Sequence, residues 1–558
     1  MLTAELAVAY VDGVQGTGVG ACIKHLVANE QETERMKISA EVSERVLREL
    51  QLAPFEAAVK RSRVAAVMSA YNKVNGTWCG EHRWLLTEVL RDEWGFDGIV
   101  ISDWFGAHSA EGVTAGLDLE MPGKPRHLGK RLLAAVDEGR VAAADIDLAA
   151  TRLLAVRDRL GVTDGPELKE SSADDPDHRA LAHEAAARSI VLLTNPSGLL
   201  PLDLASLGRV AVIGPNADDP QLQGGGSARV NPHRTVTFLE GLADRVGPAT
   251  EIVHESGGIA YPGTAVVDSR WLDPGPDAPA NRPFGLMLDF YLADAPDAVV
   301  HREVAVRPST MWLLPPADVL GLDPWRCRGT ATFRPPASGV WELGITSVGP
   351  AQLVLDGEVL VDSTDAEPGG SHYGMGGHEV TATVDLEAGT DHHVELRYEA
   401  AGGGMAGFAI TARPPIPTDA FERAVAAAAA ADVAIVVVGS TTDWETEGKD
   451  RSTMDLPGRQ AELISAVAAA NPRTVVVLNV GAPVTTHWSS EVGATLVAWL
   501  PGQEAGEALA DVLFGQVDPS GRLPTSFPVR VTDNLADAGF PGVEGHLPYG
   551  EGLLLGYR

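Results

Sequence analysis

Short apolar runs alternating with amphipathic stretches constrain this chain more than any other feature. Along the first 160 residues, "ACIKHLVAN", "VAAVMSAYN", "GIVISDW" and "LDLEMPG" read as strands. Between them "SERVLRELQLAPFEAAVK", "HRWLLTEVLRDEW" and "DWFGAHSAEGVTAG" read as helical stretches, the first of them with apolar residues at helical spacing. Strands that alternate with helices imply a parallel α/β sheet, either doubly wound or part of a (β/α)8 barrel. Each run ends in polar or acidic residues, at the edge where such sheets carry their chemistry. A complete barrel takes about 250 residues. The pattern here breaks near 160, and 161–184 reads as a polar linker.

A second α/β region is predicted over 185–280 and 415–558, through "GRVAVIGPNADDP", "DVAIVVVGS", "NPRTVVVLNVG" and "GATLVAWLPG". Residues 281–414 change to an all-β pattern. "VWELGITSVGPAQLVLDGEVLVDS" alternates apolar and polar residues around Asp356-Gly357, a hairpin signal. A β-sandwich inserted into an α/β domain is the economical reading, because insertions at surface loops leave the host core intact.

The bulk properties exclude several function classes. A net charge of −33 argues against nucleic acid, whose phosphates need concentrated Lys and Arg. Cys22, Cys79 and Cys327 are too scattered for a disulfide framework or a zinc site. No apolar run reaches the roughly 18 residues of a membrane span. The opening "MLTAELAVAYVDG" has no signal-peptide pattern, so a cytoplasmic location is the default expectation.

Candidate chemistry lies at the strand ends. Asp103 closes an apolar strand beside Trp104, either as a reactive carboxylate or as the cap of a helix starting near Ala107. Lys24, His25 and Asn29 could donate hydrogen bonds to hydroxyls, or be a surface lysine beside a packed histidine. Tyr71 could face the same edge or simply pack. The loop "TTDWETEGKDR" gathers Asp443, Glu445, Glu447, Asp450 and Arg451 after the strand "VAIVVVG". It is either a solvated acidic loop or a ligand edge. "VQGTGVGAC" lacks dinucleotide spacing, "QGGGSARVNP" is no P-loop, and His392-His393 shows no zinc-ligand pattern. No cofactor and no metal are expected.

Taken in order, "GACIKHLVANEQETER", "VMSAYNKVNG", "LLTEVLRDEWGFDGIVISDW", "GLDLEMPG", "DWETEGKDRSTMDLPGRQAELI" and "DVLFGQVDPSGRLPTSFP" resemble glycoside hydrolase family 3, of the β-glucosidase type. The resemblance covers nearly the whole chain. It implies a retaining glycosidase with Asp103 as nucleophile and Glu447 as acid/base, and Lys24, His25, Tyr71 and Trp104 lining the glycone pocket. Asp443 and Glu445 would then keep Glu447 protonated, Lys24 or another donor would keep Asp103 ionised, and Asp450–Arg451 would brace the loop. "KHLVANEQETER" lacks the glycine-flanked histidine of the family's N-acetylhexosaminidase branch. The inserted segment resembles a PA14 domain, expected to narrow the pocket entrance, and its loop "GGSHYGMGG" either approaches that entrance, with Tyr373 stacking on sugar, or is a plain flexible loop. "TSVGPAQL" lacks the paired aspartates of calcium-binding PA14 relatives.

The resemblance further implies that the family's first barrel strands and its fibronectin-like domain fall outside 1–558. The expected architecture is therefore a partial (β/α)8 barrel over 1–160 and an α/β sandwich domain interrupted by an all-β PA14-like sandwich, in a chain poorly folded or inactive alone. The expected partner is a small β-glycoside or oligosaccharide, with no nucleic acid and no membrane, and a homo-oligomer stays open. The alternative is a catalytically inactive, carbohydrate-binding protein.

Overall fold

In the computed structural model, three of the apolar runs form β1 (Cys22–Leu26), β2 (Ala66–Ser69) and β3 (Ile99–Ser102). Each pairs in parallel with the next in chain order. The fourth run adds one parallel bridge, Leu119 to Ile101. β2 is buried along its whole length, as expected of a parallel strand covered on both faces. Helix Trp84–Glu93 turns Leu85, Leu86, Val89 and Leu90 into the same core as Leu26, Val67 and Val100. The structure describes residues 1–558 except 163–171, 259–262, 314, 322, 368, 370, 375, 403, 404, 443 and 556–558.

Contacts divide the chain into two units, Met1–Ala173 with Leu523–Arg558, and Asp174–Arg522. Several local expectations differ from this structure. The stretch 103–116 is helical only over Gly112–Ala115, because Phe105 adopts φ 66°, outside the right-handed basin. Within 161–184, expected to be linker, helix Pro176–Ser189 begins at 176. Asp175 caps it by accepting from the Asp177 N–H, and Pro176 occupies the position where no N–H is needed. Finally, 523–558 groups with the first unit rather than with the second α/β region. His546–Pro548 pairs in parallel with Ser39–Glu41 there.

The second unit is built on a six-stranded sheet. Its strands are β4 (Val191–Thr194), β5 (Arg209–Ile213), β6 (Glu251–Glu255), β7 (Val433–Gly439), β8 (Thr474–Asn479) and β9 (Ala494–Val497). The spatial order is β4-β9-β8-β7-β5-β6, parallel except for the edge strand β4. Every residue of β7 and β8 is buried, which explains their unbroken apolar sequences. The chain runs outward from β5 to β6, then restarts on the other side at β7. The β5/β7 junction is thus a topological switch point, where loops diverge and leave a crevice.

Between β6 and β7, residues 265–413 form two antiparallel sheets, which begin at 265 rather than at the expected 281 because Ala265–Val266 and Leu272–Asp273 already pair into them. Trp325–Phe333 alternates buried and more open residues, the period of a strand with one face on a core. Phe290, Trp325 and Tyr398 of one sheet share a core with Trp341, Ile345 and Phe408 of the other. That core is separate from the one under β5, β7 and β8. The expected hairpin at Asp356-Gly357 joins Ala351–Leu355 to Glu358–Asp362.

Candidate active site

In the first unit, the carboxyl ends of β1, β2 and β3 bring His25, Tyr71 and Asp103 together. Asp103, 7% exposed, directly follows β3. One carboxylate oxygen, Oδ1, accepts the Trp104 N–H at 2.7 Å. The other, Oδ2, lies 3.1 Å from His25 Nε2, and the Tyr71 hydroxyl also bonds the carboxylate. Burial alone raises the Asp103 pKa. The His25 hydrogen bond and charge, the Trp104 N–H and the Tyr71 hydroxyl together outweigh it and hold the pKa below its usual 3.8. Asp103 therefore caps no helix and is held as an anion.

The donors differ from expectation in one respect. Along β1 successive side chains alternate, so His25 is half-buried and Lys24 exposed. The ionising partner is His25, not Lys24. Trp104 supplies its backbone N–H to Asp103, and its indole is half-buried. Asn72, which sequence reasoning passed over, braces the end of β1 by donating its amide to the Ala28 carbonyl at 2.9 Å.

The acids of "LDLEMPG" are structural. Asp118 is buried, with Arg91 Nη2 at 2.6 Å and Arg152 Nη1 at 2.9 Å, and it accepts the Val100 N–H at 2.7 Å. Burial lowers the Arg91 pKa to about 10, against the pull of Asp118. Glu120 accepts three successive backbone N–H groups, from Arg126, His127 and Leu128.

In the second unit, the loops after β5 and β7 meet at the switch point, and Glu447 sits there. Thr446 and Lys449 bridge across Glu447-Gly448. The acid thus occupies the tip of a tight turn whose Gly448 takes φ 87°. Glu447 Oε2 accepts the Ser227 N–H at 2.8 Å. A Cβ on Gly226 would lie 2.4 Å from the Glu447 Cβ, so only glycine fits beneath the acid. The run "QGGGS", dismissed as a phosphate loop, is the seat of this carboxylate. Its three consecutive glycines were the available signal.

The Glu445 carboxylate is taken up by donors of its own. Its carboxylate accepts from Ser440 Oγ (2.5 Å), Gly481 N (2.7 Å) and Ala482 N (3.0 Å), and Arg451 Nη1 lies 3.6 Å away. Arg451 donates from Nη2 to the Pro483 carbonyl at 2.8 Å. Glu445 and Arg451 are the brace of the loop. Asp443 and the Tyr373 side chain lie outside the described residues.

Chemically, the first unit offers a carboxylate kept ionised in a nearly dry setting, and the second a carboxyl group poised on a turn. Residues 1–156 match the Glycosyl hydrolase family 3 N terminal domain and 190–557 the Glycosyl hydrolase family 3 C-terminal domain. The chain belongs to glycoside hydrolase family 3. It is 44% identical over 570 residues to a beta-glucosidase of Rhizobium radiobacter, covering 100% of this chain and 68% of that protein. A crystal structure of a beta-glucosidase from Kluyveromyces marxianus in complex with glucose has TM-score 0.91 and 32% identity, with 99% of this chain and 68% of that one covered. A beta-glucosidase from Streptomyces venezuelae in complex with D-glucose gives TM-score 0.70 and 30% identity, with 100% and 66% covered.

Proposed function

We propose that this chain is a retaining β-glucosidase that removes terminal β-D-glucosyl residues, with Asp103 as nucleophile and Glu447 as acid/base. The observation that carries this is the Asp103 carboxylate: buried, ionised, and bonded by groups that a sugar hydroxyl can share or displace. In the first step an Asp103 oxygen attacks the anomeric carbon. Glu447 gives its proton to the glycosidic oxygen, and the aglycone leaves as an alcohol. In the second step water attacks the glucosyl-Asp103 ester while the Glu447 carboxylate takes the water proton, freeing β-glucose. Such a double displacement uses two carboxyl groups about 5–5.5 Å apart.

Lys24, His25, Tyr71 and Trp104 contact the glycone in this reading. Imidazole, phenol and ammonium bond hydroxyls, and the indole face covers the apolar side of the ring. The sequential parallel pairing of β1 to β3 supports assigning 1–160 to a (β/α)8 barrel wall, since barrels place neighbours in chain order. The two antiparallel sheets over 265–413 support a PA14-like insertion. Relatives named beta-glucosidases align along the whole chain, which argues against a purely carbohydrate-binding role.

The test is the stereochemistry of the product. On an aryl β-glucoside, proton NMR is expected to show β-glucose forming first, and Asp103→Asn is expected to abolish release. α-Glucose appearing first, or full turnover by Asp103→Asn, would remove the assignment.

A further inference from the structure

The chain carries 76 acidic and 43 basic residues, yet "GKPRHLGKR" (123–131) holds Lys124, Arg126, Lys130 and Arg131 and no acid. All four cations are exposed, and among the described residues none is ion-paired. The acid that precedes the stretch is turned to the backbone: Glu120 is occupied by the N–H groups of Arg126 (2.9 Å), His127 (2.8 Å) and Leu128 (2.7 Å). The loop is thereby held in shape, with four cations within nine residues of sequence and no ion pair to any of them among the described residues. Like charges this close along the chain repel one another where they approach, and an anionic ligand relieves that repulsion.

The position of the loop ties it to the nucleophile. Met121 donates its N–H to Ser102 Oγ at 2.9 Å, and Phe105 donates its N–H to the Met121 carbonyl at 2.9 Å. Residues 102 and 105 flank Asp103. The Arg126 guanidinium lies 4.3 Å from the centre of the Phe105 ring. This cation–π contact holds a long side chain against the turn that carries the nucleophile and leaves its N–H edge for an acceptor. His25 and Tyr71 serve the reacting end of the substrate, so an anion at the loop belongs to the part extending past the glucose ring.

We propose that 123–131 forms an anion-accepting rim of the substrate site, and that the preferred substrate is a β-glucoside whose aglycone carries a carboxylate. This rests on Asp103 being the glucosidase nucleophile. Guanidinium and carboxylate match in shape and charge, and a local cationic rim on an acidic protein selects such substrates by both encounter and binding.

The experiment compares 4-(carboxymethyl)phenyl β-D-glucoside with its 4-(carbamoylmethyl)phenyl analogue, in which a methylene keeps the two leaving groups alike. At low salt, kcat/KM is expected to favour the carboxylate roughly tenfold, and the ratio to approach one in about 0.5 M NaCl. The ratio is also expected to fall in Arg126→Gln and in Lys124→Gln/Lys130→Gln. A ratio of one or below in the unaltered protein at low salt, or an unchanged ratio in both variants, overturns the proposal. Preference for phenyl β-D-glucuronide over both glucosides would place the charge on the glycone and overturn it too. Calorimetric binding of the two glucosides to Asp103→Asn separates this proposal from the catalytic reading. Tighter carboxylate binding without turnover by the unaltered protein keeps the rim and removes the catalysis. Equal turnover of both glucosides removes the rim alone, and neither binding nor turnover of either removes both.

Discussion

Among the groups that hold Asp103 ionised, His25 contributes most, and its replacement tests that directly. Because the Asp103 pKa is depressed, the proposed nucleophile is expected to be active above that pKa and lost as pH falls through it, below the usual 3.8. In His25→Ala the acidic limb of the pH profile of kcat/KM is expected to move to higher pH, and the rate at neutral pH to fall at least about tenfold. An unmoved limb would show that His25 does not set the charge. Folding stability follows the same sign. The Asp103 contribution is present above the unfolded-state pKa and fades as pH falls through the folded one. At the second carboxylate, Gly226→Ala places a Cβ against Glu447 at a residue with φ 96°. It is expected to lower kcat about 100-fold on glucosides with poor leaving groups and much less on activated aryl glucosides, which need little protonation. Asp103, His25 and Tyr71 were legible as candidates because a parallel strand's carboxyl end is a known place for chemistry. Glu447 was singled out as acid/base only through the family resemblance, and the bracing contacts of Glu445 were not legible. Both sit in one acidic loop, and only the donors around each tell them apart: Ser440, Gly481 and Ala482 on Glu445, Ser227 on Glu447.

Among elements, β3 and the segment after it hold Asp103 through the buried Asp118 centre. Asp118 joins the Val100 N–H of β3 to Arg91 of helix Trp84–Glu93 and Arg152 of helix Ala143–Arg159. Removing the shared anion leaves two guanidinium groups without their partner. Asp118→Asn is expected to destabilise the chain by about 3–5 kcal/mol, read as a lower urea midpoint, while Glu93→Gln at an exposed pair changes it by less than about 1 kcal/mol. Equal midpoints for the two variants would contradict the role given to Asp118. The apolar runs of β1, β2, β7 and β8 were readable because burial on both faces leaves an unbroken hydrophobic signature. The helix expected over 103–116 was misread because nothing in its spacing reports the left-handed Phe105 or the tether of Asp103 to the Trp104 N–H.

For the whole molecule, the host and inserted modules of Asp174–Arg522 each have a core of their own. Replacing 265–413 by a short Gly-Ser linker is expected to leave the host sheet folded, with its helical circular dichroism retained. If the insertion narrows access to substrate, hydrolysis of longer β-glucans rises relative to cellobiose in that variant, and an unchanged ratio counts against this role. The switch from helical to alternating periodicity set the all-β segment at 281–414 and missed its first strands, Ala265–Val266 and Leu272–Asp273, whereas the pairing of His546–Pro548 with Ser39–Glu41 spans some 500 residues and leaves no local trace. The central claim, that Asp103 forms a covalent glucosyl ester, is tested most directly by incubation with a 2-deoxy-2-fluoro-β-glucoside bearing a good leaving group. Peptide mass spectrometry is predicted to find one fluoroglucosyl group on the peptide containing Asp103. The label on another carboxylate, or turnover of β-glucosides with no covalent adduct, would contradict it.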